Sequence, residues 1–479
     1  MAEQPKRQKT STSNFGVSKR ENHDSSGFYE RFAMPTISDD AVLSDHRVVD
    51  QIFHSSSTDM HQVPDASVAL VVTSPPYFAG KAYEEELGEG HIPATYLDYL
   101  TMLEDVFAEC VRKLEPGGRI AVNVANLGRK PYRSLSADVI RILQDRLRLL
   151  MRAEIIWVKQ RGASGSCAWG SFQRPSNPVL RDLSERIIVA SKGRLDRAVT
   201  QRRRHQLGLP SEGSLFRDEF MEATTDIWDI PPERASRVGH PAPYPVELPE
   251  RLINLYTYRG DVVLDPFMGS GTTAVAAVAT ERHYLGFDTE AAYIDTANER
   301  IAAERDRIAE LASAGRAPLR AAVTTPAARA EQDPDEPFEV SGMRNGLAAR
   351  ELAKTTLLDA GFTSIIENAT LPGGTELRFT ACAPDGQTWH FDVAGGFTLS
   401  RPGLRRAETM HKAIAKAAVL HQTHADTPFV LFTTDLPPEG TPGRAALAAV
   451  VGARRPISDL IVLSSREDID RLRASARAT

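Results

Sequence analysis

The 479-residue chain has little cysteine and no long apolar run, and both shortages exclude classes of protein. Its three cysteines lie far apart and form no CxxC pair, so neither a disulfide scaffold nor a cysteine zinc site is supported. No segment approaches the ~18–20 consecutive apolar residues of a membrane span, and the polar first residues lack the apolar stretch of a signal peptide. These features predict a cytoplasmic protein without a membrane segment.

A strong excess of charge is also missing, because 57 lysines and arginines face 63 aspartates and glutamates, giving a net charge of −6 at pH 7. The balance argues against a wholly basic nucleic-acid coat protein, but it does not describe local patches. With 42% hydrophobic residues the chain can bury large cores, so global disorder is excluded. Function therefore has to be inferred from individual sites.

The sequence divides into four regions of different composition. Residues 1–35 are polar and predict a flexible tail. Strand-like apolar runs alternate with amphipathic helices over 36–311, which predicts a mostly parallel α/β sheet with helices on both faces. Residues 312–337 are rich in Ala, Pro and Arg, as linkers are, and 338–479 predict a smaller α/β domain.

The segment 262–279, VVLDPFMGSGTTAVAAVA, predicts a strand, a tight glycine loop and a helix. Gly269 and Gly271 allow a sharp turn and close approach of a ligand, and Thr272 suits a helix start. The N–H groups that follow favour a carboxylate or phosphate. The next strand ends at Asp288, where a carboxylate can accept from ribose hydroxyls. A ligand-free turn is the alternative, and a nicotinamide site is disfavoured because the third glycine of GxGxxG is missing.

A second motif, Thr73-Ser74-Pro75-Pro76-Tyr77, lies at the end of an apolar run that predicts a buried strand. Ligands of open parallel sheets bind where the strands end. The prolines remove two N–H donors and leave rigid carbonyls, so Ser74 Oγ and the Pro75 carbonyl can both accept from an amino group. Tyr77 offers a flat ring for stacking. The pattern predicts a receptor for an amine on a flat base, with a plain proline turn as the alternative.

Together, TSPPY and DPFMGSGT resemble the motifs of bacterial DNA amino-methyltransferases that use S-adenosylmethionine, and their order resembles the permuted β-class. The segment 239–253, GHPAPYPVELPERLI, is similar to the stretch before the family's cofactor strand. One departure is Tyr244, where many relatives have lysine. The resemblance covers roughly 40–310 and implies a Rossmann-like methyltransferase sheet, S-adenosylmethionine as cofactor and double-stranded DNA as partner.

The resemblance also implies the site residues. The implied catalytic residues are Ser74, Pro75, Pro76 and Tyr77. The implied cofactor-binding residues are Thr73, Asp265, Pro266, Phe267, Gly269, Gly271, Thr272, Asp288, His240 and Pro241. His240 is interpreted as a structural residue at the rim of the cofactor pocket rather than as a base, because methyl transfer does not need a strong one.

The implied reaction moves a methyl group to the exocyclic amine of a flipped base. That amine is a poor nucleophile, because its lone pair is delocalised into the ring. Hydrogen bonds to Ser74 and the Pro75 carbonyl favour a pyramidal nitrogen, after which alignment matters more than acid–base strength. Methylation at cytosine C5 would need a cysteine nucleophile, and no cysteine here follows proline as in that family. In the resemblance, serine at the first motif position leans toward cytosine N4, with adenine N6 as the alternative.

A basic segment between the two motifs, KGRLDRAVTQRRRH at 192–205, predicts phosphate contacts. The β-class carries its target-recognition region in this interval, and we assign about 192–230 to it. A solvated charged loop is the alternative. The candidate DNA-binding residues are Lys192, Arg194, Arg197, Arg202, Arg203 and Arg204.

The region 338–479 loosely resembles the restriction-endonuclease-like fold. Asp392 lies on the strand from which nucleases of that fold hold Mg²⁺, but Ala394 stands where their lysine is expected, and Lys412 or Lys416 of the following helix are the nearby substitutes. A lone acid is an incomplete metal site, so no metal is predicted and a noncatalytic DNA-binding or assembly domain is favoured. The alternative is a bifunctional restriction–modification enzyme with an active nuclease. A second copy of the chain or a restriction–modification protein is a further candidate partner.

Overall fold

Two mixed sheets organise the described part of the chain, one of eight strands and one of five. The computed structural model describes residues 37–44, 48–76, 78, 95–126, 132–159, 176, 178, 180, 182–233, 244–313, 348–371, 374–397 and 403–478. The predicted tail and all but the first two residues of the predicted linker lie outside these ranges. Within these ranges, no helix combines the length and the apolar character needed to cross a bilayer.

The larger sheet is built from the first part of the chain. Its strands are β1 (Gln51–His54), β2 (Val68–Thr73), β3 (Leu114–Val124), β4 (Leu150–Val158), β5 (Ser184–Ser191), β6 (Ile227–Asp229), β7 (Val262–Asp265) and β8 (His283–Asp288). The helices of this unit are α1 (Tyr96–Lys113), α2 (Leu135–Arg141), α3 (Gln201–Gln206), α4 (Arg217–Ala223), α5 (Glu247–Tyr256), α6 (Thr272–Ala279) and α7 (Ala291–Ser313). A single π-turn, Ile142–Arg146, continues α2.

The strands lie in the order β1-β8-β7-β2-β3-β5-β4-β6. All neighbouring pairs are parallel except those of β5, which runs antiparallel to both β3 and β4. We call the edge where the parallel strands end the carboxyl edge, and the other the amino edge. The expected mostly parallel sheet with helices on both faces is confirmed, with β5 as the one reversed strand.

The connections diverge between β7 and β2, and this divergence creates a crevice. The chain leaves β2 through α1 and enters β3 on one side, whereas it leaves β7 through α6 and enters β8 on the other. Where neighbouring parallel strands send their connections in opposite directions, a crevice opens at their carboxyl ends and ligands bind there. The topology therefore places the best ligand position beside the ends of β2 and β7.

Strand β2 is buried along its whole length because both faces of the sheet are covered. Leu70 and Val72 pack into the cluster formed with α5, α6 and α7, whereas Val71 packs into the cluster formed with α1 and α2. Helix α1 starts where Thr95 accepts a hydrogen bond from the N–H of Asp98 at 3.1 Å. Burial on two faces fixes the register of β2, and with it the position of the turn that follows.

The smaller sheet belongs to the last part of the chain. Its strands are β9 (Thr363–Thr370), β10 (Glu376–Cys382), β11 (Thr388–Ala394), β12 (Phe429–Thr433) and β13 (Asp459–Val462). Its helices are α8 (Ala349–Asp359), α9 (Ala407–Thr423), α10 (Pro442–Val450) and α11 (Arg466–Ala478), with a 3₁₀ turn at Gly403–Arg405. Strands β9, β10 and β11 form an antiparallel meander, and β12 and β13 continue it in parallel.

The start of α4, with Phe216 and Asp218, connects the larger unit to the smaller one. Phe216 is only 2% exposed and packs in the core of the smaller unit, with its ring 4.9 Å from that of Phe397. The carboxylate of Asp218 accepts from the N–H groups of Ala349 at 2.8 Å and Phe397 at 3.3 Å. Helix α8 begins after Ala348, which has no side-chain acceptor, so Asp218 supplies its cap from the other unit. The assigned recognition region thus contains the contact between the two units.

This contact predicts a large loss of stability from one substitution. We expect Phe216→Ala to lower the free energy of unfolding by about 3–5 kcal/mol, because the ring leaves a cavity in a packed core. Phe220→Ala is the matched control, since Phe220 lies on α4 with 49% of its surface exposed, and we expect a change within roughly 0.5 kcal/mol. Urea unfolding of the full chain measures both, and equal effects would contradict the assignment of Phe216 to the core.

Candidate active site

One buried carboxylate joins the two motifs at the carboxyl edge. Asp265, at the end of β7, is 0% exposed. Its Oδ1 accepts from Thr73 Oγ1 at 2.7 Å and from the Phe267 N–H at 3.1 Å. Its Oδ2 accepts from Thr273 Oγ1 at 2.7 Å and from the Tyr244 hydroxyl at 3.1 Å. Burial raises the pKa of Asp265 to about 7, although these donors favour its ionised form.

Tyr244 gives the departure from the usual lysine a structural explanation. Its hydroxyl contacts both Asp265 and Thr273. Burial raises the pKa of Tyr244 well above its ordinary value, so the phenol stays protonated and neutral. Tyrosine therefore supplies a donor to Asp265 without a positive charge. The sequence showed the departure, but not the contact with a residue at the end of another strand.

The glycine loop takes a conformation that requires glycine. Gly269 and Gly271 have φ values of 49° and 80°, in the left-handed region. A Cβ on Gly271 would also lie 2.7 Å from the Cβ of Ala297, so a side chain there would collide with α7. Helix α6 begins at the next residue, Thr272, and its first N–H groups point to the carboxyl edge. The loop thus brings main-chain donors to the crevice beside β7.

Asp288 is held beside this loop at the end of β8. Its Oδ2 accepts from the Gly269 N–H at 2.7 Å, and its Oδ1 accepts from the Glu290 N–H at 2.9 Å. Burial raises its pKa from the ordinary value. A half-buried carboxylate next to a left-handed loop and a helix start provides acceptors for hydroxyls and donors for a carboxylate. These residues fit a cofactor that carries both a ribose and a carboxylate.

Arg300 is a support for the loop that sequence reasoning missed. Its guanidinium, on α7, donates to the carbonyl of Ser270 at 2.6 Å, to the hydroxyl of Ser270 at 3.0 Å and to that of Thr272 at 3.1 Å. Pro266 is buried and Phe267 is half-buried directly after Asp265. An arginine in an otherwise ordinary amphipathic helix gives no sequence signal of this contact.

The Ser-Pro-Pro turn begins directly after β2. Ser74 is half-buried, Pro75 is buried and Pro76 is exposed. Ser74 Oγ donates to the carbonyl of Asn123 at 3.3 Å and accepts from the side-chain amide of the same residue at 3.4 Å. The hydroxyl of Tyr99, on α1, donates to the Pro76 carbonyl at 2.8 Å and so links the turn to that helix. Three residues with predicted roles, Tyr77, His240 and Pro241, lie outside the described residues.

Two of the arginines with a predicted DNA-binding role are paired with buried acids. Arg204 is 1% exposed and pairs with Asp261 at 2.8 Å. Arg197 pairs with the same carboxylate at 3.0 Å and also with Glu115. Asp261 is 0% exposed and Glu115 is 1% exposed, so removing their partners would leave buried charge uncompensated. Neither guanidinium is available to phosphate.

The rest of the basic segment also lies away from the crevice. Lys192 donates to the Leu114 carbonyl at 2.6 Å, and Arg194 donates to the Asp40 carbonyl at 3.2 Å. The segment follows the end of β5, which runs to the amino edge, opposite the Ser-Pro-Pro turn. Of the six candidate residues only Arg202 and Arg203 are exposed. The segment lies between the two motifs in the sequence, but in the fold it lies at the opposite edge of the sheet from them.

The described thiols are Cys110 and Cys382. Cys110 is buried in the core under α1, and burial raises its pKa well above the ordinary value. Cys382 ends β10 in the smaller unit. Burial holds the Cys110 thiol in its unreactive protonated form.

In the smaller unit, Asp392 on β11 pairs with a lysine from the neighbouring helix. The Lys416 ammonium lies 2.5 Å from the Asp392 carboxylate and also donates to the Glu376 carbonyl at 3.0 Å. Lys412 instead pairs with Glu408 on its own helix. Within the described ranges, no group of three or more His, Cys, Asp or Glu side chains is placed to hold a metal ion.

Comparison with known proteins gives matches over the larger unit. A family model described as DNA methylase, of the N6/N4 group, matches residues 68–299. The Type II methyltransferase M.MthZI of Methanothermobacter thermautotrophicus is 31% identical over 274 residues, which cover 52% of this chain and 76% of that protein. The DNA adenine methyltransferase YhdJ of Escherichia coli K12 is 26% identical, covering 52% and 82%.

A solved structure is also similar. A protein of Thermus thermophilus, solved in complex with S-adenosyl-L-methionine, is 29% identical with a TM-score of 0.40, covering 53% of this chain and 95% of that one. The family model ends at residue 299, so it does not reach the smaller unit.

The buried ion pairs predict how the basic segment responds to substitution. We expect Arg204→Met to lower the free energy of unfolding by about 3–5 kcal/mol, because it leaves part of a buried pair of acids without its counter-charge. Arg203→Met is the matched control on the same helix, with an exposed side chain, and should change stability within roughly 0.5 kcal/mol. The salt dependence of DNA binding should be the same for Arg203→Met and the unsubstituted chain. A flatter salt dependence would contradict the position at the amino edge.

Proposed function

Because this chain belongs to the N6/N4 family of DNA methylases, we propose that it transfers the methyl group of S-adenosylmethionine to the N4 amine of a cytosine in double-stranded DNA. Methylation of DNA on an exocyclic amine is the activity of the family, and cytosine N4 is the specific choice proposed here. Serine at the first position of the catalytic motif favours that choice. Adenine N6 is the alternative product.

The observation that carries the proposal is the hydrogen bond between Thr73 and Asp265. It joins the ends of β2 and β7, the two strands between which the connections diverge. The amine-accepting turn after Thr73 and the glycine loop after Asp265 are thereby neighbours across one crevice. A methyl donor and an amine acceptor need this proximity, because transfer requires the reacting atoms to be aligned at short distance.

The crevice beside β7 and β8 is the proposed cofactor site. Asp288 would accept from the ribose hydroxyls, the first N–H groups of α6 would receive the carboxylate, and Phe267 would cover the flat adenine ring. When bound, S-adenosylmethionine supplies an electrophilic methyl group on a sulfonium. Arg300 and the left-handed glycines keep the loop in its shape, so the site is formed before the ligand arrives.

The Ser-Pro-Pro turn is the proposed amine receptor. Ser74 Oγ and the Pro75 carbonyl accept from the two N–H bonds of the base, which favours a pyramidal nitrogen with an available lone pair. With S-adenosylmethionine bound in the neighbouring crevice, this nitrogen would bond to the methyl carbon, the carbon–sulfur electron pair would stay on sulfur as a neutral thioether, and the proton lost by nitrogen would pass to water. The target base has to leave the stack to reach this turn. No thiol takes part, which agrees with the burial of Cys110 in the core.

The relatives of this chain also suggest where the enzyme acts in the cell. We propose a cytoplasmic enzyme of a restriction–modification or host-defence system, since Type II methyltransferases are among its relatives. A second copy or a restriction–modification protein is the proposed partner besides DNA. The smaller unit is proposed to be noncatalytic, because Asp392 is a lone acid with Ala394 in place of the expected lysine. The contact of Lys416 with Asp392 favours the nuclease alternative enough to require a test.

The base choice is tested by the modified nucleoside. We expect DNA incubated with the protein and S-adenosylmethionine to contain N4-methylcytosine after digestion and mass spectrometry. Ser74→Ala should lower kcat by about 10²–10³-fold, because one preorganised acceptor is lost. The same variant should bind S-adenosylmethionine as before in calorimetry, since Ser74 lies outside the glycine loop. N6-methyladenine without N4-methylcytosine would reject the choice of cytosine.

The noncatalytic role of the smaller unit is tested by cleavage. We expect unmodified plasmid DNA to stay intact when incubated with the full chain and Mg²⁺ or Mn²⁺. Asp392→Ala is the control, and it should behave as the unsubstituted chain does. Cutting by the unsubstituted chain that disappears in Asp392→Ala would establish the nuclease alternative.

A further inference from the structure

A row of hydrogen-bonded polar side chains crosses four neighbouring strands at the carboxyl edge. It runs from Ser74 after β2 to Asn123 on β3, then to Glu185 on β5 and Lys159 after β4. The sheet order β2-β3-β5-β4 makes these residues neighbours, although they are distant in the sequence. Because β5 runs in reverse, its first residues lie at the same edge as the last residues of the other strands.

The inner members of the row are tightly held. Asn123 is 3% exposed and Glu185 is 8% exposed. The Asn123 side-chain amide donates to Glu185 Oε2 at 2.6 Å, and Lys159 Nζ donates to Glu185 Oε1 at 3.0 Å. A buried carboxylate requires a counter-charge and donors, and Lys159 and Asn123 provide both. The lysine, with 26% of its side chain exposed, ends the row at the surface.

The chemistry of these groups fixes the direction of the hydrogen bonds that link Glu185, Asn123 and Ser74. An ionised carboxylate only accepts, so the amide of Asn123 must present its NH₂ group to Glu185. The second N–H of that amide then points to Ser74 Oγ, which accepts it at 3.4 Å. Ser74 has one hydroxyl proton, and that proton is directed to the main-chain carbonyl of Asn123 at 3.3 Å. While this proton stays on the Asn123 carbonyl, Ser74 Oγ acts toward the target amine as an acceptor.

We propose that Asn123, Glu185 and Lys159 are positioning residues that keep Ser74 Oγ in the accepting state required by the target amine. A serine hydroxyl free to rotate could instead donate to the amine nitrogen, and it would then occupy the lone pair that has to attack. The row excludes that orientation by directing the proton elsewhere. This inference rests on the proposed function, since it assigns a direction to the hydrogen bond between Ser74 and the amine.

Kinetic measurements distinguish a positioning role of Glu185 and Lys159 from a purely structural role. We expect Glu185→Gln and Lys159→Met each to lower kcat by roughly 10- to 100-fold, as misplacement of a catalytic group does. The KM for DNA and the Kd for S-adenosylmethionine should change by less than about threefold, because neither residue lies in the glycine loop. Lys159→Arg keeps the charge on Glu185 and should restore most of kcat. Glu154→Gln on β4 removes a carboxylate paired with Arg186 outside the row, and it should leave kcat unchanged.

A double-substitution cycle gives the decisive measurement. If Glu185 acts through Ser74, then Glu185→Gln should have less than about a twofold effect on single-turnover methylation in a Ser74→Ala background. Multiplicative effects, or a kcat within twofold of the unsubstituted value for Lys159→Met, would overturn the inference. If the unsubstituted chain forms no methylated nucleoside in the same assay, the proposed function fails and the inference fails with it. Methylation with independent effects overturns the inference alone.

Discussion

The carboxyl edge of the larger sheet depends on the hydrogen bonds to one buried carboxylate. Asp265 receives donors from Thr73 on the neighbouring strand, from Tyr244 before α5 and from Thr273 in the helix after the glycine loop. Since its folded pKa of about 7 lies above the ordinary 3.8, the protonated form is favoured in the fold. Its contribution to stability is complete at low pH and is lost as the pH rises through 7. At neutral pH the donors offset part of that cost, and in doing so they hold the two motifs together.

The two edges of the sheet use charge in different ways. At the amino edge, Arg197 and Arg204 neutralise Glu115 and Asp261 and lock the starts of β3 and β7 in place. At the carboxyl edge, polar groups instead hold the glycine loop and the Ser-Pro-Pro turn, as at Asp288 and along the row that ends at Lys159. Cations that the composition suggested for an external partner are thus largely internal. The net charge of −6 counts paired and unpaired arginines alike.

Local patterns predicted the strands and helices that are buried or strongly amphipathic. The segment that forms β2 is continuously apolar because both of its faces are buried, the glycine loop marks the start of α6, and the apolar residues of α1 recur at helical spacing. Strand β9 was missed because it lies at the edge of its sheet and is exposed on both faces, so it has no alternation to detect. The apolar spacing over 135–150 predicts one helix, whereas α2 ends at Arg141 and is followed by a π-turn and then by β4.

The candidate site was predictable only where its residues are contiguous. The proline turn and the glycine loop are short motifs, and the structure places them on neighbouring strands. Tyr244, Arg300, Asn123 and Glu185 act through partners far away in the sequence, and no single-sequence pattern reports such contacts. The basic segment shows the same limit, since composition gives the charge of an arginine but not the acid that pairs with it.

The packing of Phe216 bears on how such a protein can change during evolution. A domain that is merely attached by a linker can be exchanged or lost without harm to its neighbour. Here the larger unit carries an aromatic ring that is buried only when the smaller unit is present, and α8 takes its cap from Asp218. Loss of the smaller unit would leave an apolar ring in water, a liability for aggregation. A replacement for the smaller unit would therefore have to bury the Phe216 ring and offer N–H donors to Asp218.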